Sequence, residues 1–255
     1  MNIGEIKKEL QMVSAEDCER LEQFIARHRE DARAGVMSLV RQAEKKLEAL
    51  HAEQMRTEKM LAFEKKYYDM GYRYICGIDE VGRGPLAGPV VACAVILPMD
   101  ERILYLNDSK QVSRKKREEL HDFIVEKAVA YGLGISSEQR IDEINILQAT
   151  YEAMRMAIGN LSVKPDILLN DAVKIPQVNI QQVPIIKGDT LSASIAAASI
   201  VAKVTRDRMM GEYEKLYPGY DFGSNMGYGS AKHIEAIKTL GPSPIHRKSF
   251  IGNFV

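Results

Sequence analysis

Over the first seventy positions, apolar residues recur at intervals of three and four, the spacing of one helix face. Ile3, Ile6, Leu10 and Val13 form one stripe, and Leu21, Phe24 and Ile25 a second. From about Ala32 to Asp69 a single long helical pattern carries Val36, Val40, Ala43, Leu47 and Leu50 in heptad-like spacing. Gln54 breaks that seam, which argues against a sustained coiled coil. Ser14, with Asp17 three residues on, offers an N-cap for the second helix, and Gly71 is placed to stop the third. After Gly71 the period changes. Tyr74–Ile78, Val90–Leu97, Tyr131–Ser137, Asp166–Asn170 and Val183–Ile186 are short apolar runs that predict five strands. Helices are predicted from Ser113, over Ile141–Leu161, over 189–216 and over Ser230–Thr239, with a glycine- and aromatic-rich loop at 217–229 and an irregular tail at 241–250. Strands first, then strands alternating with helices, imply an α/β fold: a mixed five-stranded sheet flanked by helices over 71–255, with an all-helical N-terminal extension over 1–70.

Composition narrows the class without deciding it. The 255 residues hold 35 Lys and Arg against 35 Asp and Glu. Residues 1–70 carry 13 basic against 14 acidic side chains, and the remainder 22 against 21. Neither part is a basic domain, so any contact with a polyanion must come from a local patch. The densest is Ser113-Arg-Lys-Lys-Arg117, which can equally be a solvated helix face. No apolar run approaches a membrane span, and the opening Met-Asn-Ile-Gly-Glu-Ile-Lys-Lys lacks the apolar core of a signal peptide. Three widely spaced cysteines, Cys18, Cys76 and Cys93, suit a reducing cytoplasm better than disulfides or a zinc cluster.

The chemistry concentrates where strands end. Asp79 and Glu80 stand side by side, and successive strand residues face opposite ways, so one acid points inward. Such a group is costly to bury unless something positive compensates it. Asp171 closes the fourth strand and Asp189 follows the fifth. Asp207 is a further candidate, but on a straight helix it would lie about 27 Å from Asp189 along the axis, whereas paired metal ions stand only about 3.5–4 Å apart. Asp189 is therefore preferred, and Asp207 is expected to pair with Lys203 one turn back. If the fourth and fifth strands are parallel, Asp171 and Asp189 leave the sheet at its carboxyl edge, where open α/β sheets bind ligands. Taken singly, Asp171 can be a turn former and Asp189 a helix N-cap. Taken together, carboxylates without histidine or cysteine partners select Mg²⁺ or Mn²⁺ and suit metal-assisted phosphoryl chemistry. Gly82-Arg83-Gly84 adds a turn whose backbone can approach a ligand closely, with an arginine able to fork onto a phosphate.

Ile78-Asp-Glu-Val-Gly-Arg-Gly-Pro-Leu-Ala-Gly-Pro-Val-Val91 resembles the opening signature of bacterial type 2 ribonuclease H. The likeness continues through Asp108-Ser109-Lys110, Leu168-Leu-Asn-Asp171, Lys187-Gly-Asp189, the Ser194–Arg208 helix, Gly227-Tyr-Gly229 and Ile245-His-Arg247. It covers about residues 72–250 and leaves the first 70 outside the common catalytic core. The resemblance implies an RNase H-like fold, with Asp79, Glu80, Asp171 and Asp189 as catalytic metal ligands for Mg²⁺ or Mn²⁺. It implies cleavage of the RNA strand of RNA–DNA hybrids and 5′ to ribonucleotides embedded in duplex DNA, leaving 3′-hydroxyl and 5′-phosphate. Gly82, Arg83 and Gly84 would read the ribose 2′-hydroxyl, Lys110 would hold a phosphate, and Tyr228 would stack beside the ribonucleotide. A cytoplasmic monomer is expected, with no membrane partner and with the extension's own partner open. Two departures bear on substrate affinity: Met226 stands where the family has lysine, and Thr190 where it favours alanine or serine. A catalytically silent hybrid-binding protein, or another metal-dependent nuclease of the same fold, is the alternative.

Overall fold

The computed structural model describes residues 1–14 and 16–254. The chain divides into two compact units, Met1–Lys59 and Met60–Val255. In the first, α1 (Ile3–Met12), α2 (Cys18–His28) and most of α3 (Ala34–Met60) bury Ile6, Leu10, Leu21, Phe24, Val36, Val40, Ala43 and Leu50. Most of the stripe residues read from the sequence are thus buried, although Ile3 is exposed and Val13, Ile25 and Leu47 are only partly covered. Two details differ from expectation. Asp17, not Ser14, caps α2, accepting from the Arg20 amide at 3.0 Å, while Ser14 only receives the Glu16 amide. The long third helix also breaks at Leu61, and α4 (Ala62–Asp69) starts anew. Met60, Leu61 and Glu64 are all buried around the break.

The second unit is built on a five-stranded sheet of order β3-β2-β1-β4-β5, with β1 Ile75–Val81, β2 Val90–Ile96, β3 Ala130–Ser136, β4 Ile167–Asp171 and β5 Gln181–Ile185. β1 and β2 form an antiparallel hairpin and β2 pairs antiparallel with β3, whereas β1–β4 and β4–β5 are parallel. β2 is buried along its whole length. Its Val91, Cys93 and Val95 face α5 (Arg114–Lys127) and α8 (Ala193–Leu216), and its Val90, Ala92, Ala94 and Ile96 face α6 (Glu138–Gly159). This alternation is why two helical layers can cover one sheet. Ser113 caps α5 as expected.

Two predicted helices prove to be pairs. The Ile141–Leu161 pattern starts at Glu138 and kinks at Asn145, whose φ of 66° is stabilised by its side chain accepting from Leu147 and Gln148 amides. The 189–216 helix breaks at Ser192 into a short α7 (Gly188–Leu191) and α8. The run of small residues that opens α8 lies hard against β1: a Cβ on Gly77 would stand 2.1 Å from the Ser194 carbonyl carbon. The remaining elements, α9 (Phe222–Asn225), α10 (Ala231–Leu240) and α11 (Lys248–Ile251), gather around Phe222, Tyr220, Ile237 and Ile251 in a satellite core beside the glycine-rich loop.

Candidate active site

Both acids of the opening motif lie within β1, not beyond its end. Asp79 shares the α8 face with Gly77 and is only 7% exposed; Glu80, on the other face, is half-buried. The parallel pairing of β1, β4 and β5 brings Asp171 to the same carboxyl edge, opposite Ile185. Two residues past β5, Lys187 takes a left-handed turn (φ 57°) that starts α7 and presents Asp189. The turn is fixed from Asp171, whose Oδ1 accepts the Gly188 amide at 2.7 Å. Asp207 is elsewhere, in an ion pair with Lys203 at 2.6 Å and within 3.8 Å of Arg117. The helix argument thus separates the two acids correctly, although the helix itself is interrupted.

The four carboxylates feel one another. Burial pushes the Asp79 carboxyl well above its usual range, the charges of Glu80 and Asp171 push it further, and a bond from Ser199 opposes both. Burial also raises Glu80, against the pull of Arg83, and Asp171 adds to the rise. Asp189 is raised by burial and by the charges of Asp171 and Asp108, with Lys110 opposing. Among the described residues no three or more His, Cys, Asp or Glu side chains form a group that could hold a metal ion as they stand. What stands at the edge is an open row of oxygen donors whose mutual repulsion favours bound protons or a hard cation.

Around this row lie the other predicted residues. Gly82 has φ 93°, and a Cβ there would meet the Arg206 guanidinium at 2.3 Å, so only glycine fits. Arg83 is exposed and turns back to Glu80 at 3.3 Å. Gly84 lies under Tyr228, 3.8 Å from a built Cβ to the ring. Tyr228 is 42% exposed, leaving its face open. Lys110 is exposed, on a loop whose Asp108 side chain accepts its amide. Ser109 reaches Ser199, and Ser199 joins it to Asp79.

Two sets of residues were not singled out by sequence reasoning. Arg206 and Arg247 are fully buried, yet their guanidiniums donate to backbone carbonyls alone: Arg206 to Ala87, Pro89 and Met226, and Arg247 to Gly82, Arg83 and Gly88. Together they clamp the Gly82–Pro89 loop from beneath. Desolvation lowers them to about 10 and about 9 respectively. Their signal was available, since both sit in the quoted motifs, but arginine reads as a surface residue. The second set is a buried relay. The Ser243 amide donates to His246 Nδ1 at 2.8 Å, so that nitrogen is an acceptor and His246 carries its proton on Nε2. That proton is given to His233 Nε2 at 2.9 Å, which leaves His233 Nδ1–H to hold the Tyr228 carbonyl at 2.8 Å. Met226 sits in this same region, packed against the satellite core with φ 53°, and Thr190 donates to the Lys187 carbonyl at 2.9 Å.

Comparison with known proteins places this arrangement. The family model for ribonuclease HII matches residues 76–253, and the model for the ribonuclease HII N-terminal domain matches residues 2–68. The chain belongs to the ribonuclease HII family. The ribonuclease HII of Lachnoclostridium phytofermentans is 61% identical over 253 residues, covering 99% of this chain and 98% of that protein. That of Clostridioides difficile is 49% identical, covering 100% and 98%. Among solved structures, ribonuclease H2 from Pyrococcus horikoshii superposes with a TM-score of 0.59 at 26% identity, over 71% of this chain and 99% of that one. The RNase HII of the PCNA:RNase HII complex from Archaeoglobus fulgidus gives 0.60 at 26%, over 71% and 96%. Ribonuclease HII is an endonuclease family acting on RNA–DNA hybrids, and the mixed sheet with its flanking helices is the RNase H fold. No helix of the described residues is long and apolar enough to cross a membrane.

Proposed function

We propose that this chain cuts the RNA strand of RNA–DNA hybrids, and cuts 5′ to ribonucleotides embedded in duplex DNA, by two-metal hydrolysis giving 3′-hydroxyl and 5′-phosphate ends. The observation that carries the reading is the row Asp79, Glu80, Asp171 and Asp189: four acids from three stretches of chain at one sheet edge, with the charge of Asp171 acting on each of the other three. Their oxygen-only donor set fits Mg²⁺ or Mn²⁺. Bound there, the ions would lower the pKa of an attacking water and stabilise the departing oxygen. Asp79 and Asp171 would serve both ions, and Glu80 and Asp189 one each. Gly82, Arg83 and Gly84 present backbone groups to the ribose 2′-hydroxyl, the group that distinguishes RNA from DNA. Tyr228 offers its open face to the sugar and base beside it. Lys110 faces Asp189 and holds a substrate phosphate, offsetting local negative charge. The chain acts as a monomer in this reading, with residues 1–70 an appended helical module that supplies none of the four acids.

A duplex with one embedded ribonucleotide, assayed with and without Mg²⁺, tests it. Wild type should cut 5′ to the ribonucleotide only with the ion, and should leave an all-DNA duplex intact. Asp189→Asn should abolish cutting while its unfolding transition stays in place. Tight hybrid binding without cutting would instead support a silent binding protein.

A further inference from the structure

The geometry points to Glu64 as a positioning residue for Asp189: a carboxylate on α4 that caps α8 from outside and thereby holds the turn between the two helices. Glu64 is 2% exposed. Its Oε1 accepts from the Ser192 hydroxyl at 2.6 Å and from the Ser194 amide at 2.9 Å. Ser192 Oγ in turn accepts the Ile195 amide at 3.3 Å. The opening amides of a 24-residue helix are thus served by a serine and by a carboxylate distant in sequence. Burial raises the Glu64 carboxyl, and the bonds from Ser192 and Ser194 at the helix's positive end oppose that rise. Glu64 Oε2 is buried with no hydrogen-bond partner, so the contacts that fix the side chain all lie at the α8 terminus.

That terminus is what the acid row leans on. The Ser192 amide donates to the Gly188 carbonyl at 2.8 Å, and the Gly188 amide donates to Asp171. The short helix carrying Asp189 is therefore tied at one end to Asp171 and at the other to Ser192. Ser194, the second Glu64 contact, abuts Gly77, two residues before Asp79. Releasing Glu64 takes away the bonds that hold the Ser192 hydroxyl and the Ser194 amide and leaves the Asp171 tie in place. The inference rests on the proposed role of Asp189, and it extends the site into a segment that lies outside the stretch carrying the family signature.

The test compares Glu64→Ala, Glu64→Gln and Ser192→Ala in the full chain. Two readouts besides turnover are hydrogen exchange of the Gly188–Ala196 amides without metal and Mn²⁺ binding followed by electron paramagnetic resonance. In Glu64→Ala, exchange at Ser192, Ser194 and Ile195 should rise about tenfold, the scale of a lost helix cap, while amides of β2 and β3 keep theirs. Half-saturation by Mn²⁺ should rise about tenfold, as for loss of a group that orients a ligand, with KM for the duplex unchanged. Glu64→Gln keeps the accepting oxygen and should restore both. If Glu64→Ala does not fold, Ser192→Ala, which removes both the hydroxyl's bond to Glu64 and its cap on the Ile195 amide, should show the same local exchange pattern. Unchanged exchange in the turn, or a rise spread evenly over the sheet, overturns the assignment. A wild type that binds no Mn²⁺ and cuts nothing would instead defeat the metal reading, with the exchange result still deciding Glu64.

Discussion

At the scale of single residues, charge placement separates chemistry from scaffolding. Asp207 is buried, but it is matched by Lys203 and Arg117. Asp207→Asn should cost about 3 kcal/mol of stability, because two partly buried cations lose their counter-ion. Turnover should be largely retained; denaturant unfolding and a cleavage assay check the two halves. The relay histidines set a pH dependence. Burial and the neighbouring His233 lower His246 from 6.5 to about 4. Between those values the unfolded chain binds more protons than the folded one, so stability falls as pH falls through the window and levels off beneath it. The whole span amounts to about 3 kcal/mol. His246→Gln should flatten thermal stability between pH 6.5 and pH 4; an undiminished slope would place its origin elsewhere. That Asp171 leaves the sheet at its carboxyl edge was legible from the sequence, because it closes a strand expected to run parallel to the fifth. What Arg206, Arg247 and the histidine pair do was not, since their partners are backbone carbonyls or one another, and a carbonyl leaves no trace in residue identity.

At the scale of elements, the five strands followed from the lengths and β-branched content of five apolar runs, and the close packing of α8 from its small residues. The breaks did not. Asn145 lies inside a periodic pattern and breaks it with a cap from its own side chain, and Leu61 likewise interrupts a continuous pattern. The Ser192 break was masked by the alanine-rich run that follows it. Close packing of α8 on β1 gives a direct test. Gly77→Ala inserts a methyl 2.1 Å from the Ser194 backbone, with no flexible side chain to yield. It should cost about 3 kcal/mol or more, and because Ser194 must retreat, it should weaken divalent-ion binding as well as lower the melting temperature. A calorimetric melt with and without Mn²⁺ measures both.

At the scale of the whole molecule, the division of the chain matters more than its helix count. The compact unit containing the sheet starts at Met60, so α4 and Glu64 belong with the acid row. Removing residues 1–59 should leave the cutting step in place, whereas removing residues 1–70 should reproduce the loss expected for Glu64→Ala. Turnover and exchange of the two truncated proteins check this. The hydrogen bond between His233 and His246 ties α10 to the segment before α11 through one imidazole proton sealed from water. Such a proton, slow to exchange, should stand apart in a magnetic-resonance spectrum as an isolated downfield line. Because it persists only while both rings stay in register beneath Tyr228, the protein carries its own spectroscopic gauge of whether that tyrosine's loop is seated.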